Sequence, residues 1–265
     1  MMKWLCLGAS LLLFLSSCTS PAVPTPTAAP TPTSTQQSDP VTLQILFIGN
    51  SHTYTNNLPK MFARLAEAGG HKVIVDMSAK TGYLLEEHVT DPDTLEKMDS
   101  AKWDFVVLQE GMYLAPIESQ REEHMYPAAR ILNQKIRSNG AQTIFYTTWA
   151  DPLPIRDGRF DDYFDEQARI SEGYQTIAQE LDALVAPVGI AVEKSLQQRP
   201  DLYLWQRNDD YGHANGLGTY LVACVLYALI YRESPEGLSY MPRPEDTARF
   251  LQTIAAETVL TNSTP

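Results

Sequence analysis

From Val41 onward, short apolar runs alternate with longer stretches in which apolar residues recur every three or four positions. The runs Leu43–Gly49, Lys72–Met77, Phe105–Gln109, Thr143–Thr147 and Leu184–Val188 are rich in branched aliphatic residues and lack regular polar alternation. That pattern predicts strands buried on both faces. Between them, helical spacing predicts helices over Leu58–Ala68, Thr94–Ser100, Gln120–Ser138 and Asp162–Leu181. Strands separated by helices require parallel neighbours joined by right-handed crossovers. The predicted fold class is therefore α/β, a three-layer α/β/α sandwich around a mostly parallel five-stranded sheet. Further on, Leu217, Leu221, Cys224 and Ala228 repeat at helical spacing behind the cap and turn residues Asn215 and Gly216, so this helix packs along the sheet. Arg243–Ala256 reads as a final surface helix.

The first forty residues do not share this pattern. Lys3 precedes the apolar stretch Trp4–Leu15, and Leu15-Ser16-Ser17-Cys18 follows where a leader would be cleaved. A membrane span needs about 20 apolar residues, more than this stretch has. Pro21–Pro40 is almost entirely Pro, Thr, Ala, Ser and Gln, which cannot bury enough apolar surface to order itself. Extended at about 3.1 Å per residue, it would reach roughly 60 Å. Three segments result: a leader over 1–17, a Pro/Thr-rich tether over 18–40 and a catalytic-size domain over 41–265.

Composition narrows the function classes. The 265 residues are 44% hydrophobic and 20% charged, enough for one sizeable core. A net charge of -12, with no run of Lys and Arg, argues against a nucleic-acid partner. Of the cysteines, Cys6 lies in the leader and Cys18 at its end, so Cys224 alone remains in the domain and forms no internal disulfide. Its apolar neighbours make it a small buried hydrophobe.

The chemistry is carried by two separated stretches. Asn50-Ser51-His52-Thr53 places a hydroxyl at the C-terminal tip of the first strand, where open α/β sheets keep their sites. Asp210-Tyr211-Gly212-His213 supplies a carboxylate and an imidazole just before an apolar helix. A serine is a weak nucleophile until an imidazole takes its proton, and a carboxylate at the other ring nitrogen fixes the tautomer. Ser51, His213 and Asp210 thus form a candidate nucleophile, base and orienting group.

In these stretches the chain resembles the SGNH or GDSL hydrolase superfamily. Gly49-Asn50-Ser51 matches its Gly-Asp-Ser block, and Asp210-Tyr211-Gly212-His213-Ala214-Asn215-Gly216-Leu217-Gly218 matches Asp-x-x-His-Pro-Asn-x-x-Gly. The resemblance spans Val41 to about Tyr231 and implies a flavodoxin-like sheet and the Ser-His-Asp roles given above. It also implies that Gly82 lends a backbone N–H to the oxyanion, although Gly82 also reads as a plain turn glycine. The third block, Gly-x-Asn-Asp, is absent: Val106-Val107-Leu108-Gln109-Glu110-Gly111 stands there. Gln109 offers a primary amide as a substitute donor, or a structural group at the strand end. His52, beside the nucleophile, is a candidate substrate contact. Trp149, at the same rim, either walls the pocket or packs in the core. The leader resembles that of a bacterial lipoprotein, which implies lipidation at Cys18.

Competing signatures fail. Thr53 breaks Gly-x-Ser-x-Gly, and neither a Walker loop nor a Gly-x-Gly-x-x-Gly turn occurs. His52, His71, His88 and His124 show no paired ligand spacing, so neither metal nor cofactor is expected. The expectation is an extracytoplasmic serine esterase that removes short acyl groups, acetyl above all, from a small-molecule or glycan ester, and touches the membrane only through its lipid. Lipase, thioesterase and acyltransferase chemistry would use the same triad. A carbohydrate-binding lipoprotein with weakened catalysis is the alternative from another class. If Cys18 carries the anchor, Cys18→Ala moves the protein from the membrane pellet to the soluble fraction on cell fractionation; unchanged membrane partitioning would defeat the lipoprotein reading.

Overall fold

The computed structural model describes residues 41–151, 159–207 and 212–261. The leader, the tether, Cys18 and Asp210 lie outside the described residues. Five strands, β1 (Thr42–Gly49), β2 (Lys72–Ala79), β3 (Phe105–Leu108), β4 (Gln142–Tyr146) and β5 (Leu184–Ala186), form one sheet in the order β2-β1-β3-β4-β5. Every neighbouring pair is parallel, and β1 pairs with β2 along its whole length, from Thr42 opposite Lys72 to Gly49 opposite Ala79. The chain leaves β1 for β2 on one side and crosses to β3 on the other. A crevice outside the carboxyl ends of β1 and β3 follows from that reversal.

Alternate residues of each strand feed two cores. Ile45, Phe47, Val107, Ile144 and Tyr146 face one layer, built from α2 (Leu58–Ala68), α8 (Val188–Gln198), α9 (Gly216–Tyr231) and α10 (Glu245–Val259). Leu46, Ile48, Val106, Leu108 and Phe145 face the other, which holds α3 (Leu85–Thr90), α4 (Pro92–Asp99), α6 (Tyr126–Ser138) and α7 (Tyr163–Leu181). The period-two alternation of Cβ directions is what lets one five-residue run serve both cores.

Several expectations are corrected. β2 is not buried on both faces: as the outermost strand it leaves Ile74 53% exposed. β3 ends at Leu108, so Gln109 belongs to the loop. β5 ends at Ala186 because Pro187 has no N–H for the ladder and caps α8, a helix the apolar run concealed. The two-turn α3 is too short to register as a period. The helix expected over Gln120–Ser138 is a single turn, α5 (Glu118–Gln120), a wide turn over Arg121–Met125 and then α6. Pro127, at the start of α6, supplies no N–H to that ladder. Before α2, at the other end of the site, lies the one-turn helix α1 (Ser51–Tyr54).

The C-terminal helices differ most. Residues from Gly218 to Leu229 in α9 are buried all round, Cys224 among them, because α2, α8 and α10 pack against this helix. α10 is not a surface helix: Ala248, Leu251, Ile254 and Ala255 are fully buried on the core that α9 completes. Its polar face remains outward, which is what made it read as superficial. Leu251→Ala therefore destabilises the domain by about 2–5 kcal/mol in urea unfolding, as a buried Leu should; a loss below about 0.5 kcal/mol would return α10 to the surface.

Candidate active site

Ser51 opens α1 directly after β1. Asn50 caps this helix, its Oδ1 accepting from the His52 N–H at 3.1 Å. The turn is pinned from behind by Gln109, whose Oε1 accepts from the Asn50 N–H at 3.0 Å and from Thr53 Oγ1 at 2.8 Å. On the other side, the buried His88 donates from Nε2 to the Gly49 carbonyl at 2.8 Å, and burial holds its pKa below the usual imidazole value. Gly49 has no room for a side chain, since a Cβ there would stand 2.6 Å from both Gln109 Oε1 and Thr53 Oγ1.

His213 reaches the serine from the loop before α9. Its Nε2 lies 2.7 Å from Ser51 Oγ, across 162 residues of sequence. The loop is fixed at several points. The Gln206 N–H donates to the His213 carbonyl at 2.8 Å and the Asn215 N–H to the Leu204 carbonyl at 2.8 Å. Trp149 Nε1 donates to the Gly212 carbonyl at 3.0 Å. Asn56, just beyond the nucleophile helix and with φ of 54°, sends its amide to the Ala214 carbonyl at 2.9 Å and to Thr219 Oγ1 at 2.8 Å. His52 stacks on His213, with centroids 5.0 Å apart, and meets Trp149 edge to face at 5.4 Å.

A cavity of about 450 Å³ opens over the serine, lined by Asn50, Ser51, His52, Tyr54, Thr81, Gly82, Leu84, Gly111, Met112, Tyr113 and His213. Gly82 holds φ of +71°, a conformation that glycine alone adopts without strain. Neither the Ser51 nor the Gly82 N–H makes a hydrogen bond among the described residues, and both residues line the cavity. Among the described residues, no group of three His, Cys, Asp or Glu side chains is placed to hold a metal, and no helix is long and apolar enough to cross a membrane.

The sequence expectations divide. Ser51, His213, His52 and Gly82 come together around one cavity. Asp210, expected to orient His213, lies outside the described residues. Gln109 is fully buried, is not among the residues that line the cavity, and donates from Nε2 to the Glu110 carbonyl at 2.6 Å, so of its two expected roles it takes the structural one. Trp149 does not wall the pocket either. It is 2% exposed and acts from behind, on Gly212 and His52. Sequence reading missed Asn56, Thr53, His88 and Glu110. The Asn56-Asn57 pair carried a turn signal, whereas the partners of the other three lie far away in sequence.

Comparison with known proteins agrees with this geometry. No family model matches the chain, and no curated protein matches it. Among solved structures, a DUF4886 family protein from Bacteroides uniformis superposes with a TM-score of 0.71 at 20% identity, covering 84% of this chain and 97% of that one. A protein assigned to the SGNH hydrolases from Slackia heliotrinireducens shares 28% identity, with a TM-score of 0.54 over 70% of this chain and 97% of that one. A catalytic mutant of an acetylxylan esterase from Geobacillus stearothermophilus is 16% identical, with a TM-score of 0.51 over 70% of this chain and 92% of that one. The fold is shared with structures described as SGNH or GDSL-like hydrolases and as acetyl xylan esterases.

Glu110 lies behind the cavity wall. Its fully buried carboxylate accepts from the Gly111 N–H at 2.6 Å and from the Leu85 N–H at 3.2 Å, clamping the loop after β3 to the start of α3. Burial pushes this carboxyl up to about 8, from 4.5, with Glu87 and Glu86 adding to the rise. Between those values the folded state holds the proton more tightly than the unfolded one, so the stabilisation is full below 4.5 and is lost as pH rises through 8. Glu110→Gln keeps an acceptor and removes the ionisation. Urea unfolding across this range should show the wild type losing a few kcal/mol relative to the variant as pH rises; a difference independent of pH would refute the assignment.

Proposed function

We propose that the chain is a serine esterase that removes short acyl groups, acetyl in particular, from carbohydrate or a small-molecule ester, and that it works outside the cytoplasm on a lipid tether at Cys18. The observation that carries the hydrolytic reading is the 2.7 Å approach of Ser51 Oγ to His213 Nε2 over a cavity. With the His213 proton on Nδ1, Nε2 takes the Ser51 proton as Oγ bonds to the acyl carbon. The carbonyl oxygen becomes an oxyanion against the Ser51 and Gly82 N–H groups. Collapse expels the alcohol with the proton from His213, and water, deprotonated by the same imidazole, releases the acid. Asp210, three residues before His213, orients the ring in this scheme.

The size and lining of the cavity support a short acyl chain, because Leu84 and Met112 are its aliphatic side chains and the volume of about 450 Å³ must also admit the alcohol. The acetylxylan esterase among the structural neighbours supports a carbohydrate alcohol. A second reading, a binding protein with weakened catalysis, is favoured by one observation: Gln109, the amide nearest the absent third block, points away from the cavity.

Purified full-length protein should hydrolyse p-nitrophenyl acetate, release acetate from acetylated xylan and be labelled by a fluorophosphonate. Ser51→Ala should abolish the labelling and lower turnover by several powers of ten. Hydrolysis unimpaired in Ser51→Ala would sink the esterase reading, and wild-type protein inert to the probe would favour the binding protein.

A further inference from the structure

Ser51 and Gly82 line the cavity and their backbone N–H groups are uncommitted, but the polar groups after β3 are engaged elsewhere. Gln109 Nε2 donates to the Glu110 carbonyl, and the Gly111 N–H donates to the Glu110 carboxylate, each at 2.6 Å. Gln109 is fully buried and does not line the cavity, so its amide is not placed to meet a developing oxyanion there.

Asn50 stands differently. Its Oδ1 accepts from the His52 N–H at 3.1 Å, and its Nδ2 donates to the Tyr83 carbonyl at 2.9 Å. Reversing the amide would set an acceptor against a carbonyl and a donor against an N–H, so this network fixes which atom is nitrogen. A primary amide carries two N–H bonds. One is taken by Tyr83, and the second has no acceptor among the described residues. Asn50 is only 4% exposed yet lines the cavity beside Ser51 and Gly82. An N–H at the cavity lining without a protein acceptor is available to an incoming oxygen.

The position of Nδ2 gives the free N–H its use. It lies between the loop after β2, through the Tyr83 carbonyl, and the loop after β3, where a Cβ on Gly111 would be 4.0 Å away. Both loops line the cavity. We infer that Asn50 Nδ2 is the third donor to the oxyanion, completing the set begun by the Ser51 and Gly82 N–H groups. The same side chain does two jobs: its oxygen caps the helix that carries Ser51, and its nitrogen stabilises the charge that Ser51 creates. This role rests on the esterase reading.

Two substitutions separate capping from donation. Asn50→Asp and Asn50→Ser each keep an oxygen able to cap the His52 N–H and remove the amide donor. In full-length protein, kcat for p-nitrophenyl acetate should fall about 100- to 1000-fold in both, with KM changed less than about three-fold. Affinity for phenylboronic acid, whose tetrahedral adduct on Ser51 carries the same charge, should fall in step, while in Asn50→Ser Tm falls by no more than about 4 °C, the effect of the lost bond to Tyr83. Either variant retaining kcat within about three-fold of wild type, or Asn50→Ser losing about 10 °C or more in Tm together with kcat, would overturn the role. Wild-type protein without Ser51-dependent hydrolysis would remove the esterase reading and this role together; an active wild type with unimpaired variants would remove this role alone.

Discussion

The carboxamide of Gln109 holds the turn on which the rest of the site depends. Its oxygen takes the Asn50 N–H and the Thr53 hydroxyl at once, while its nitrogen donates back to its own loop at the Glu110 carbonyl. All of this is buried, where an unmade hydrogen bond costs most. The nucleophile is therefore referenced to β3 as well as to β1, the strand it follows. Gly49 makes this possible, because any side chain there would collide with the amide oxygen. His88 closes the knot from the other side by donating to the Gly49 carbonyl.

The base is held by a separate and equally indirect arrangement. His213 stands beside the isolated antiparallel bridge between Trp205 and Ala214, and its position is set by what touches this segment. Trp149, after β4, binds the Gly212 carbonyl, and Asn56, after the nucleophile helix, binds the Ala214 carbonyl. Flanked by these two restraints, the histidine loop cannot drift from the serine without breaking a buried bond on one side or the other. His52 places an aromatic ring against both Trp149 and His213. Placing catalytic groups to a fraction of an ångström demands this kind of support from behind.

What the sequence disclosed follows from the range of the interactions involved. Strand runs and helical periods are local, and all five strands lay within a few residues of where the apolar runs put them. Ser51 and His213 were legible because each stands in a short stretch of recognisable spacing at a predictable end of an element. Side-chain direction was not legible. Gln109 reads equally as a donor into the pocket or as a structural group, and the groups that decide between them, on Asn50 and Thr53, are 59 and 56 residues distant. Trp149 likewise reads as pocket wall or core, and its bond to Gly212 spans 63 residues. The burial of α10 was hidden for a related reason: its helical pattern has a polar face, and only the fully apolar α9 beside it makes its other face part of the core.

These questions of direction bear on how an altered motif keeps working. A primary amide after β3 need not serve the oxyanion if it is required as a brace, and in this chain the brace holds Gln109 off the cavity lining. The residue it braces, Asn50, is itself an amide. An aspartate there would cap α1 equally well through its oxygen, but would set a carboxylate against the Tyr83 carbonyl and beside the nascent oxyanion. Asparagine turns that repulsion into donation on both sides. The choice of Asn at 50 and of Gln at 109 can thus be understood as one electrostatic arrangement: one amide oxygen fixes the nucleophile turn, and the neighbouring amide nitrogen is left to meet the charge.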